Sequence, residues 1–196
     1  LSAVKEIMPD ATIHISTQAS VTNSYSCKIY ESLGASRIIL ARELSLDEIK
    51  EIRDNTDLEL ESFVHGAVCM SYSGRCLLSN FLNNRDANGG ECSQVCRWNF
   101  KTYIEEKTRP GEFMEIEEGD EHSTILSSRD LQMAEYLHLL QKAGIDSVKI
   151  EGRMKSVYYV ANTVRVYRVL LDLLERIGYE SYGEAIKKEP IASYLK

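Results

Sequence analysis

Apolar and polar positions follow one another along this chain in two rhythms. Residues 11–16 (ATIHIS) alternate at a period of two and predict a strand. Residues 20–33 read as a helix, which Gly34 stops just past its last apolar residue. Residues 37–41 (RIILA) form a continuous apolar run, as expected of a strand covered on both faces in a parallel sheet. Ser45 and Glu48 then make an S-x-x-E capping box, and Leu46, Ile49 and Ile52 or Arg53 lay an apolar stripe on the helix it opens. Residues 58–64 predict a third strand, so the spacing is that of βαβ units.

Residues 66–124 break this alternation. The segment carries four of the five cysteines, the Gly89-Gly90 turn and Pro110-Gly111, and residues 113–116 with the acidic run 117–121 predict a hairpin or flap. Loops of this length are usually functional or organised by something other than an apolar core. Alternation then returns. Ser127 and Asp130 are read as the cap of a helix whose stripe is Leu131, Ala134, Leu137 or His138, and Gln141, with Gly144 ending it. Residues 146–150 (DSVKI) predict a strand, followed by a long helix with Val160, Val164, Tyr167, Leu171 and Leu174 on one face. Residues 179–196, polar and containing Pro190, are expected to be a tail. The pattern is α/β, with about four strands of parallel type, half of the eight a closed (β/α) barrel requires.

At 196 residues, with 43% hydrophobic and 27% charged, the chain supports one core of ordinary size. It opens at Leu1, inside what reads as a helix end before Pro9-Asp10, so a fragment lacking an N-terminal portion is expected. The net charge of −7 argues against non-specific nucleic-acid binding by bulk electrostatics and leaves only a local basic site for that purpose. No run approaches the roughly 20 apolar residues that span a bilayer, and no basic start leads into an apolar stretch. The expectation is a cytoplasmic protein without membrane contact.

The clustered cysteines are Cys69, Cys76, Cys92 and Cys96, in the spacing C-x6-C-x15-C-x3-C, with Cys27 apart. An odd count without sign of secretion favours a metal site over a disulfide framework. Four thiolates are the full ligand set of a tetrahedral zinc or of a cubane iron–sulfur cluster. Only Cys92 and Cys96 have the close spacing usual in zinc sites, and the wide first pair in a glycine-bearing loop suits a larger object. Zinc and unmetallated thiols stay open on spacing alone.

The segment ESFVHGAVCMSYSGRCLLS (61–79) resembles the signature of the collagenase-like U32 peptidase family. STQASVTN (16–23), LARELSLDEI (40–49) and KIEGRMKSVYYVA (149–161) are similar to its other fixed blocks in the same order, so the likeness covers most of the chain. It implies the C-terminal part of a TIM-type barrel over residues 1–178, interrupted by a cysteine-rich insertion at 66–124. It also implies a 4Fe–4S cluster on the four cysteines, with zinc the alternative cofactor. Relatives in the family include prephenate-dependent tRNA uridine hydroxylation proteins and an rRNA cytidine hydroxylase, so RNA is the implied substrate and prephenate a candidate co-substrate. Residues 86–91 (DANGGE) depart from the family, which tends to show a serine after the arginine and a basic residue before the second glycine.

In βα barrels the active site collects at the C-terminal ends of the strands. Thr17 and Gln18 follow the first predicted strand, Arg42 and Glu43 the second, Glu61 and His65 lie at the third, and Glu151 and Arg153 end the last. Glu61, His65, Glu151 and Arg153 are therefore candidate catalytic residues, and Thr17, Gln18, Arg42 and Glu43 candidate substrate contacts. Arg153 has the planar fork that anchors a carboxylate or phosphate. Each could instead be a local ion pair or cap. His122 in the acidic run reads as part of a solvated flap, and Trp98 and Tyr103 as core packing rather than base-stacking platforms. Three functions compete: an iron–sulfur RNA hydroxylase, a collagenase-like peptidase acting on a peptide, and a non-catalytic metal-stapled binding module. The peptidase lacks an H-E-x-x-H or G-x-S-x-G motif. A half-barrel would also leave sheet edges that favour self-association.

Overall fold

The computed structural model describes residues 1–98, 100–116 and 130–188. The acidic run with His122, as well as Ser127 and Pro190, lies outside the described residues. Helix α1 (Ser2–Ile7) leads to strand β1 (His14–Ile15), α2 (Ser24–Ser32), β2 (Arg37–Ile39), α3 (Leu46–Arg53) and β3 (Glu59–Gly66). The middle of the chain holds α4 (Leu78–Asn83) and the antiparallel hairpin of β4 (Thr102–Glu105) and β5 (Phe113–Ile116). Then come β6 (Leu131–Gln132), α5 (Leu137–Lys142), β7 (Ser147–Glu151), α6 (Val157–Ile177) and α7 (Tyr179–Lys188).

The architecture is mixed α/β with an open sheet. Strands β1, β2 and β3 run parallel in that order, and β7 pairs parallel with β3. Glu61 pairs with both Ile39 and Ser147, so β2 and β7 occupy opposite edges of β3. Beyond the end of β2, the two residues of β6 pair antiparallel with His65 and Gly66 on the same edge that β2 has vacated. The apolar runs dictate this arrangement. Ile38, Leu40, Leu60 and Val64 turn one sheet face toward Ile49 and Ile52 of α3, Leu137 and Leu140 of α5, and Tyr167, Leu170 and Leu174 of α6. The capping box opening α3 is fully formed, with the Glu48 side chain accepting from the Ser45 N–H at 2.7 Å.

Strand β3 carries a bulge. Phe63 pairs with Lys149 but His65 with Ile150, so Val64 is an extra residue with no counterpart on β7. Two glycines allow the loops above the sheet to close on it. At Gly66 (φ +102°) a Cβ would lie 2.1 Å from the Glu151 carbonyl oxygen, and at Gly74 (φ +71°) it would lie 2.0 Å from that of Gln18.

Several sequence expectations are corrected. Leu131 does not start a helix: it belongs to β6, and Asp130 caps nothing but joins a charge cluster described below. A two-residue strand is too short to show a period. Residues 179–188 are not a polar tail. They form α7, whose Tyr182 is fully buried and donates to the Ala134 carbonyl at 2.7 Å, while Ile186 joins the core. Tyrosine and a single isoleucine among Glu, Lys and Gly left that stripe inconspicuous. The buried face of α6 is Thr163, Tyr167, Leu170, Leu173 and Leu174, and Val164 is exposed. Trp98 and Tyr103 are each 47% exposed and do not pack in the core.

Two outcomes follow. Tyr182→Phe should cost about 1 kcal/mol in urea unfolding by removing a buried hydrogen bond, and Tyr182→Ala about 3–5 kcal/mol. Gly74→Ala, at a positive φ and against backbone, should destabilise by about 2 kcal/mol or more and loosen the loop above β1, read as faster proteolysis between residues 69 and 96.

Candidate metal and substrate site

The segment between β3 and β4 has little regular structure of its own, and its shape is imposed by the ends of the parallel strands. After β1, the Thr17 hydroxyl donates to the Leu40 carbonyl at 3.1 Å and the Gln18 amide to the Ala87 carbonyl at 3.0 Å. After β2, the Glu43 carboxylate accepts from the Ser73 N–H at 2.9 Å and from its hydroxyl at 3.2 Å. After β7, the Arg153 guanidinium donates to the Gly90 carbonyl at 2.6 Å, and the Gln94 amide reaches Glu151 at 3.5 Å. Within the segment, the Asn88 side chain accepts from the Cys76 N–H at 3.1 Å.

The result is a cavity of about 180 Å³ lined by all four clustered cysteines. Thr17, Gln18, Arg42, Glu151 and Arg153 line it as well, so five of the eight polar candidates meet the four thiols there. Arg42 lies flat over the Phe63 ring, 4.0 Å from its centroid. Glu43 stands one layer back, holding Ser73, itself a lining residue. The remaining two candidates are elsewhere. Glu61 sits on the sheet, where its carboxylate meets Arg37 at 3.0 Å, Lys149 at 3.3 Å and the Ser147 hydroxyl at 3.0 Å. Burial raises its carboxyl pKa, but Lys149, Ser147 and Arg37 outweigh that and hold it below the ordinary value. The bulge in β3 turns His65 away from the thiols and against Tyr167 and Tyr159 of α6.

All five cysteines are unbridged, and Cys27 is fully buried in the core. Burial pushes the Cys69 thiol up, against a hydrogen bond from the Ser71 backbone and the charge of Arg42, and Cys76 and Cys92 push it further. Cys96 is raised by burial, then by Cys69 and Cys92, with Arg97 opposing. The thiols are thus close enough to repel one another as thiolates. A bound cation is what would hold them ionised together. The backbone N–H of Gln94, itself in the left-handed region at φ 53°, donates to the Cys92 sulfur at 3.3 Å.

Sequence reading missed a second set of residues that frame the site. Arg97, adjacent to Cys96, pairs with Asp130 at 2.8 Å and donates to the Val68 carbonyl, next to Cys69, at 3.5 Å. Asp130 also binds Lys155 at 2.7 Å and the Tyr159 hydroxyl at 3.1 Å. Burial raises the Asp130 carboxyl pKa, but the hydrogen bonds from Lys155 and Tyr159 and the charges of Lys155 and Arg97 bring it below the ordinary value. Arg97 lines the cavity, yet its Nε is buried without a hydrogen-bond partner. Such an orphan donor is costly unless something absent from the protein itself accepts from it. Soft sulfur donors around a cavity with a spare N–H fit a group carrying negative charge on sulfur. Among the described residues no three His, Cys, Asp or Glu side chains are grouped to hold a single metal ion.

Residues 1–193 match the family model described as Peptidase family U32. The tRNA hydroxylation protein P of Escherichia coli is 42% identical over 208 residues, covering 86% of this chain and 46% of that protein. An uncharacterized protease of Methanocaldococcus jannaschii is 44% identical over 182 residues, 90% of this chain and 43% of that protein. A 23S rRNA 5-hydroxycytidine synthase of Escherichia coli is 38% identical over 167 residues, 85% of this chain and 24% of that protein. The chain spans less than half the length of these relatives. No solved structure matches it. The segments that surround the cavity thus lie within a family match running along nearly the whole sequence, and the chain belongs to peptidase family U32.

Proposed function

We propose that this chain is the cluster-bearing portion of a longer protein that hydroxylates RNA, with a tRNA uridine as its target. The observation that carries this is the cavity in which all four clustered cysteines meet five polar residues from strand ends. The names of the relatives, tRNA hydroxylation protein P and a 23S rRNA 5-hydroxycytidine synthase, support the same reading. The four parallel strands, with the Glu61 charge network on one face, are read as an arc of a TIM-type barrel whose interior that face would line.

Cys69, Cys76, Cys92 and Cys96 would hold a 4Fe–4S cluster. A single zinc on the same four thiolates is the alternative occupant. When bound, the cluster supplies one-electron chemistry. The chain's own groups do the rest. Arg42, Lys149 and Arg153 line the cavity as the cations that a carboxylate-bearing co-substrate such as prephenate, or an RNA phosphate, would require. Glu151 fixes the loop carrying Arg153 by accepting its backbone N–H at 2.9 Å. Proteolysis, suggested by the name of the archaeal relative, is less well served. Burial leaves Cys69 and Cys96 harder to ionise, the reverse of an activated nucleophile.

Protein purified without oxygen should carry about four irons with matching sulfide per chain, lost in Cys92→Ala. In cells whose full-length gene is inactivated, tRNA nucleoside analysis should show loss of a hydroxylated uridine, restored by the native gene and not by Cys92→Ala. One stoichiometric zinc, or unchanged nucleosides, would refute the proposal. Arg97→Lys and Asp130→Asn should each lower metal retention against a chelator by about 10- to 100-fold, since both orient the loop of Cys96. Circular dichroism of the metal-free proteins should stay unchanged.

A further inference from the structure

A second cleft of about 480 Å³ lies on the α6 side of the sheet, and none of its lining residues is shared with the cysteine cavity. His65, Gln132, Tyr158, Tyr159, Asn162 and Tyr167 give it its character. The hydroxyl of Tyr167 anchors His65. The phenol donates its only proton to the Val64 carbonyl at 2.7 Å and accepts the Met133 N–H at 3.2 Å. Burial pushes the phenol pKa up to about 12, so that proton stays in place. His65 Nδ1 lies 3.3 Å from the same oxygen and shares a hydrogen bond with it. Burial also lowers the histidine pKa; Asp130 opposes this and Lys155 adds to it. With Nδ1 turned to the phenol, Nε2 on the opposite edge of the ring is the nitrogen left to meet a ligand.

The remaining walls complement the imidazole. The Tyr159 ring is tilted 47° to His65 at 5.8 Å and the Tyr167 ring 72° at 5.4 Å, and Asp130 fixes the Tyr159 hydroxyl. Gln132 spends its side-chain oxygen on the Ala134 N–H at 2.9 Å, which leaves its NH₂ group to donate. Asn162 and the 80% exposed Tyr158 sit at the mouth. Aromatic faces with an imidazole edge, an amide donor and an amphoteric carboxamide match a planar ring bearing both N–H and C=O on its edge. An apolar peptide side chain would leave these polar groups unpaired.

The geometry points to this cleft as a binding pocket for an unstacked nucleobase of single-stranded RNA, separate from the base that is modified. The inference rests on the RNA reading above and adds a second anchoring point to it. Asp130 joins the two sites, pairing with Arg97 of the cysteine cavity and Tyr159 of the cleft through its two oxygens.

The test uses the full chain at low salt with a fluorescently labelled ten-nucleotide single-stranded RNA of mixed sequence, followed by anisotropy. Tyr158→Ala and Asn162→Ala alter exposed side chains and should leave folding and iron content intact. The double variant should weaken binding at least about fivefold, the loss of one stacked base. His65→Phe, which keeps a ring and removes its nitrogens, should weaken it as well. If the wild type binds the RNA and the double variant binds it equally, the cleft assignment falls while the RNA reading stands. If the wild type binds no RNA, both fall. If phenylalanine amide competes as well as uridine, the pocket is not a base site.

Discussion

The structure depends on a division of labour in which the sheet supplies the order that the cysteine segment lacks. The residues between β3 and β4 carry little regular secondary structure, so many of their backbone groups must find partners outside the segment. They find them on side chains of Gln18, Glu43 and Arg153, each just past the end of a different parallel strand. The thiols inherit their positions from this grip, and together they line one cavity.

The two faces of the sheet obey different rules. Toward the helices, Leu60 and Val64 are fully buried among leucines and isoleucines and provide the burial on which stability rests. On the other face, Glu61 is 8% exposed and satisfied by Arg37, Lys149 and Ser147. A carboxylate in such a place is strongly held because three partners replace the water it lost. The same face carries Phe63 and Arg42 to the cavity, so the charged network and the candidate site are continuous.

How much of this was legible depended on whether a residue's role was local. The capping box of α3 and the strands 37–39 and 59–66 involve neighbours in sequence, and patterning finds them. The four cysteines announce themselves by composition, and Thr17, Gln18, Arg42, Glu151 and Arg153 by lying at strand ends. Asp130 was read as a helix cap because its partners, Arg97 and Lys155, are 33 and 25 residues away. Arg97 had one local signal, its place beside Cys96, which spacing alone did not raise above its neighbours. Helix α7 hid because one tyrosine does most of its packing.

The extra residue in β3 has a wider consequence. In an unbroken strand, positions 63 and 65 share a face. Val64 breaks that parity, and one strand delivers Phe63 to one compartment and His65 to another. The separation of Phe63, beside the cysteines, from His65, beside Tyr167, comes from one residue's worth of backbone. Because one bulged strand lines both spaces, a slip of its register along β7 would move Phe63 and His65 together and disturb both spaces at once.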